Sequence, residues 1–74
     1  MPNLPILKTQ KFVKILKKLG FFLHHQTGSH AQFKHLDGRR TTISIHPGKD
    51  IPTGTLRAIL RDIKISPQEL TEKI

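Results

Sequence analysis

Residues Phe21 to His46, FFLHHQTGSHAQFKHLDGRRTTISIH, decide the fold. They read as three short strands punctuated by Thr27-Gly28 and by Leu36-Asp37-Gly38. The last two strands alternate, with Ala31 and Phe33 in one and Thr41, Ile43 and Ile45 in the other on the apolar side, the period-2 pattern of a sheet with one buried and one wet face. The wet face then carries His30, Gln32, Lys34, Thr42, Ser44 and His46. A three-residue loop Leu36-Asp37-Gly38, with glycine in the left-handed position after a type I turn, sets His35 opposite Arg39, Phe33 opposite Thr41 and Ala31 opposite Ile43. A two-residue Asp-Gly turn would oppose Phe33 to Thr42 and mix the faces. The preferred register puts His30 opposite Ser44 and diagonal to His46, roughly 7–8 Å apart at the backbone.

The flanking segments look built to cover the other face. Pro2 and Pro5 predict a short extended arm over residues 1–8. Thr9 is the expected N-cap of a first helix, whose Phe12, Val13, Leu16 and Leu19, with Ile15 beside them, form an apolar stripe ending at a left-handed Gly20. Lys11, Lys14, Lys17 and Lys18 form a basic ridge opposite that stripe, which serves to approach phosphates or simply to meet solvent. The first strand, Phe21 to Gln26, does not declare a face, and one of His24 and His25 must lie on the wet side. A second helix starts near Thr53 or Gly54, with Leu56, Ile59, Leu60 and Ile63 inward and Arg57 and Arg61 available to Asp62, Asp50 or phosphate. Ser66-Pro67-Gln68-Glu69 reads as a capping box opening a short last helix with Leu70 and Ile74 inward. The predicted class is α+β, in the order α-β-β-β-α with a short extra C-terminal helix and all helices on one face of a three-stranded antiparallel sheet. That is the order of the double-stranded-RNA-binding domain.

Composition bounds the partners. Seventy-four residues suit one domain, 1–74, burying only roughly 60–65% of its unfolded surface. The absence of cysteine excludes disulfides and thiolate metal sites, and no run suggests a leader or a membrane span, so a soluble, cytoplasmic protein is expected. The net charge of +8 lies entirely in residues 1–49, which hold nine basic residues against Asp37 alone, whereas residues 50–74 hold four of each sign. Such a field implies a polyanion, nucleic acid first.

The five acids do not cluster, which argues against a two-metal nuclease or a carboxylate pair, and no glycine-rich phosphate loop precedes a helix. With no Trp or Tyr, and with Phe12, Phe21, Phe22 and Phe33 assigned to the core, little stacking capacity is expected. Neither a metal nor a cofactor is called for. Histidines 24, 25, 30, 35 and 46 remain, and imidazole both takes and gives protons near neutrality. The bland alternative is polar residues on a sheet face.

Leu19-Gly20-Phe21, Gln26-x-Gly28-Ser29-His30, Asp37-Gly38-Arg39-Arg40, His46-x-Gly48 and Gly54-Thr55-Leu56-x-x-Ile59-Leu60, in this order over roughly residues 4 to 70, resemble the HicA family of toxins. The resemblance implies small metal-independent mRNA interferases neutralised by a HicB-type antitoxin, with a double-stranded-RNA-binding-like fold and a catalytic histidine that falls on His30. On that reading Gly28, Ser29 and His46 support the active site, His46 as candidate second proton-transfer group, and Lys34, Arg40, Lys14, Lys17 and Lys18 hold RNA. The chain departs from the family at His24 and His25, where an apolar residue followed by Arg is more usual; a protonated His25 would still supply charge. The competing class is a non-catalytic RNA-binding module, and a third reading makes the basic face a dock for an acidic antitoxin.

Overall fold

The computed structural model describes residues 4–74, so Met1, Pro2 and Asn3 of the expected arm lie outside the described residues. The elements run α1 (Thr9–Lys18), β1 (Phe22–Thr27), β2 (His30–Lys34), β3 (Arg40–Ser44), α2 (Thr53–Ile63) and α3 (Pro67–Glu72). The strands form one antiparallel sheet in the order β1-β2-β3. The α+β arrangement is that of a double-stranded-RNA-binding domain with an added C-terminal helix.

The predicted register between β2 and β3 holds, with His30 opposite Ser44, Ala31 opposite Ile43, Phe33 opposite Thr41 and Lys34 opposite Arg40. Its cause is the predicted loop: His35 N–H donates to Arg39 O, Gly38 N–H donates to His35 O, and Gly38 takes φ +98°. Ala31, Phe33 and Ile43 are buried on one face against Phe12, Ile15 and Leu16 of α1, Leu56, Ile59, Leu60 and Ile63 of α2, and Leu70 of α3. A fully buried Phe or Leu stabilises by about 1.5–3 kcal/mol, so these few side chains hold most of the fold.

The sequence-based expectations shift in four places. Thr9 is the first helical residue rather than the N-cap, a position taken by Lys8 without a side-chain cap bond. The reason is a tertiary clasp: Thr9 N–H and Oγ1 both donate to Lys49 O, Ile51 N–H donates to Leu7 O, and Lys8 and Asp50 form an antiparallel bridge closed by their side chains at 3.2 Å. Phe21 belongs to the end of α1, not to β1. Its N–H reaches back to Leu16 O while Gly20 N–H bonds Lys17 O, the two bonds of a Schellman cap, so its ring is buried. Gly20 is required there twice over, because φ is +98° and a Cβ would come within 2.8 Å of His35 Nε2. Ile74 is 51% exposed instead of inward, because α3 stops at Glu72. Ile45 is half-buried, just past the end of β3.

Helix α3 opens on the predicted capping box: Ser66 Oγ accepts from Glu69 N–H at 3.1 Å and Glu69 Oε1 from Ser66 N–H at 3.4 Å, with Pro67 in the first turn. Helix α2 ends on Lys64, the one non-glycine residue with positive φ (57°) among those described. The options open to Arg57 and Arg61 narrow, since Asp50 pairs with Lys8 and Asp62 accepts from Thr41 Oγ1 at 3.0 Å.

Candidate functional site

The register arranges the uncovered face as three cross-strand rows. Phe22, Lys34 and Arg40 make one, His25, Gln32 and Thr42 the second, and Thr27, His30 and Ser44 the third. No carboxylate belongs to any row. His30 opens the central strand and is exposed, with a neighbour on each side. The turn before it is a two-residue hairpin loop, Gly28-Ser29, with Gly28 at φ +58°. Glycine at the first central position matches a type II′ turn, and it serves that backbone conformation alone, because a Cβ there would meet nothing within 4 Å. Gln26 Nε2 donates to Gly28 O, and Ser29 O accepts from Ile45 N–H at 2.7 Å, so the half-buried Ser29 fixes the turn to the end of β3.

The ambiguity between His24 and His25 is resolved by a bulge. Leu23 faces Phe33 on the covered side, yet His25 pairs with Gln32 on the uncovered side, the register shifting across His24. An extra residue in a strand reverses the face of everything beyond it. His25 Nε2 hydrogen-bonds Thr27 Oγ1 at 2.9 Å, and Thr27 stands directly opposite His30.

Phe22 corrects its assignment to the core: it is 43% exposed and stands opposite Lys34 on the open face. β1 is exposed along its whole length, and even Leu23, on the covered side, remains 47% exposed. An aromatic ring beside two cations restores the stacking capacity that its core assignment removed. Lys34 and Arg40 lie directly opposite each other and, with Gln32, Thr42 and Asp62, line an open groove of about 440 Å³. Lys34 is four residue steps along β2 from His30, about 13 Å at the backbone.

The other predicted residues are placed elsewhere. Lys14, Lys17 and Lys18 are exposed on α1, in the helical layer rather than on the open face. His46 lies two residues past β3 and lines, with Ser44, Lys49, Asp50 and Thr55, a cavity of about 220 Å³ that His30 does not share. His35 is structural. Its ring meets Phe21 edge-on at 5.0 Å, its Nδ1 accepts from Asp37 N–H at 3.1 Å, and Arg39 lies over the other partner, Phe21, at 5.0 Å from the ring centre. The Arg39 backbone N–H donating to Asp37 holds that carboxyl below the usual carboxylate range, assisted by the Arg39 guanidinium and by His35. Among the described residues no three His, Asp or Glu side chains are grouped to hold a metal ion, and no helix is long and apolar enough to cross a membrane.

The profile of the HicA toxin of bacterial toxin-antitoxin matches residues 9–65, from the first residue of α1 to just past the end of α2. The chain belongs to the HicA toxin family. No curated protein matches it closely enough to serve as a relative. The matched span holds the whole sheet, both long helices and the Gly28-Ser29-His30 turn. Membership makes the chain the toxin half of a toxin–antitoxin pair.

Proposed function

We propose that this HicA-family toxin is a metal-independent endoribonuclease that cleaves mRNA, with His30 as general base. His30 would take the proton from a ribose 2′-hydroxyl; the oxygen attacks the adjacent phosphorus, the bond to the 5′-oxygen breaks, and a 2′,3′-cyclic phosphate and a 5′-hydroxyl result. The observation that carries this reading is an exposed imidazole on the central strand of a cationic face whose paired strand positions hold no carboxylate. With the nucleophile inside the substrate, the protein needs only to orient the RNA and move protons.

Lys34 and Arg40 are too far along the sheet to act on the scissile phosphate and instead hold a phosphate to one side of it. Backbone N–H groups of the Gly28-Ser29 turn are nearer the developing charge. Phe22 would stack on an unpaired base beside that anchored phosphate, as single-strand binders do. A HicB-type antitoxin of acidic character would silence the toxin in the cytoplasm by covering this face, meeting its charge and its catalytic ring together.

The test is incubation of chelator-treated protein with labelled mixed-sequence RNA. Cleavage to cyclic-phosphate ends by the native protein, lost in His30→Ala while RNA retention and the melting profile persist, supports the reading. RNA that is shifted but uncut by native protein would show a binding module instead.

A further inference from the structure

We infer that His25 is the second proton-transfer group of this site, the general acid that protonates the departing 5′-oxygen; the inference rests on the catalytic reading of His30. An alkoxide is a poor leaving group in water, so expulsion is fast only when a proton arrives as the bond to phosphorus breaks. The donor must sit across the phosphorus from the base, since attacking and leaving oxygens are roughly in line. One imidazole cannot serve both ends of that line in the same step.

The sheet offers one group in that position. Were β1 regular, Leu23 and His25 would share the covered side; the bulge at His24 turns His25 onto the open face. There His25 pairs with Gln32 and His30 with Thr27, so the two histidines are diagonal neighbours, roughly 7–8 Å apart at the backbone, a gap that admits one phosphate between the rings. Thr27 Oγ1 holds His25 Nε2 at 2.9 Å, which fixes the ring and leaves Nδ1 to meet substrate. The titratable groups facing His25 from β2 are His30 and Lys34, and on its own strand His24; none is an acid. His46, by contrast, is past the ladder and lines a separate cavity.

In the completed step the 2′-hydroxyl proton passes to His30, the new bond forms from O2′ to phosphorus, the bond to O5′ breaks, and the His25 proton goes to O5′. Water exchange then returns each ring to its starting state.

Two RNAs of identical sequence decide the matter, one ordinary and one carrying sulfur in place of the 5′-oxygen at the bond the native protein is mapped to cut. Thiolate leaves without protonation. His25→Gln is expected to slow cleavage of ordinary RNA by about 10²–10⁴-fold and to cut the sulfur-bridged RNA within a few-fold of native. His25→Arg, which keeps positive charge but does not release a proton, should behave the same way. His30→Ala should fail on both RNAs. Equal slowing of both RNAs in the His25 variants, or native-like cleavage of ordinary RNA by His25→Arg, would overturn the assignment while leaving His30 as base. If native protein cuts neither RNA, the catalytic reading itself falls. The side chain is exposed on an edge strand, and melting curves of both variants should match native within a few degrees.

Discussion

The Arg39 guanidinium donates through Nη1 to the carbonyl of Ile63 at 2.6 Å, joining the β2–β3 hairpin to the last turn of α2. The same side chain donates through Nε to Asp37 Oδ2 at 2.8 Å and lies over Phe21. One residue therefore ties the hairpin to both long helices. Arg39→Gln should lower stability by about 1.5–3 kcal/mol in denaturant titration, the usual cost of losing a charged hydrogen bond at a partly buried acceptor. An unchanged midpoint would show the tie to be dispensable.

Asp37 makes this corner acid-sensitive. Its folded pKa lies below the usual carboxylate range, chiefly because Arg39 N–H donates to the carboxylate. A depressed folded value means that the stabilising contribution is complete above the unfolded pKa and is lost as pH falls through the folded one. Asp37→Asn should lower stability in the neutral region and converge on native as pH falls, which flattens the low-pH limb of a stability-against-pH curve. A variant whose curve runs parallel to native through the acid range would remove Asp37 from the explanation.

Lys64 occupies the left-handed position that ends α2, where its N–H bonds Arg61 O and Ile65 N–H bonds Leu60 O. A lysine side chain is strained there and glycine is not. Lys64→Gly should stabilise the protein by about 0.5–1 kcal/mol despite adding backbone freedom to the unfolded chain. Thermal and denaturant unfolding both read this directly.

The two phenylalanines Phe22 and Phe33 should separate in their effects. Phe33 is buried at the centre of the sheet, and Phe33→Ala should cost about 3–5 kcal/mol of folding stability, enough to unfold much of a small domain. Phe22 is on the open face, and Phe22→Ala should scarcely move the melting temperature while weakening single-stranded RNA binding by about 1–3 kcal/mol. Fluorescence anisotropy with the His30→Ala protein measures the second effect without cleavage.

Lys34 and Arg40 are expected to act as phosphate anchors. Replacing either by Ala should weaken RNA binding across sequences and reduce the slope of log affinity against log salt by about 0.7. Loss of affinity with an unaltered slope would mean that the side chain touches something other than phosphate.

Much of this architecture was readable because local chemistry and tertiary packing agree. The alternation of Ala31, Phe33, Thr41 and Ile43 and the Asp37-Gly38 turn specify pairing within one hairpin, and the Ser66-Glu69 box is a purely local device. What was not readable depends on segments far apart in the chain. Thr9 carries a good capping side chain, but Lys49 draws its hydroxyl away. Phe21, Phe22 and Leu23 are equally apolar, and only the extent of helical cover decides that the first is buried and the second is not. The bulge at His24 has no turn residue to announce it, so the face of His25 emerges only from its pairing with β2. The place of His30 on the uncovered face was legible from the alternation of β2, whereas the separation of His46 from it depends on where β3 stops.

The clasp between residues 7–9 and 49–51 bears on when this molecule becomes whole. The hydroxyl and the first amide of α1 wait for a carbonyl forty residues later, so the start of the leading helix is completed by a part of the chain synthesised long after it. A nascent polypeptide that has emerged only as far as the hairpin has strands covered by α1 alone, without the side chains of α2 and α3 that complete the core. For a member of a toxin family, completion of this kind delays the finished fold until the chain has been translated past Ile51 and into α2.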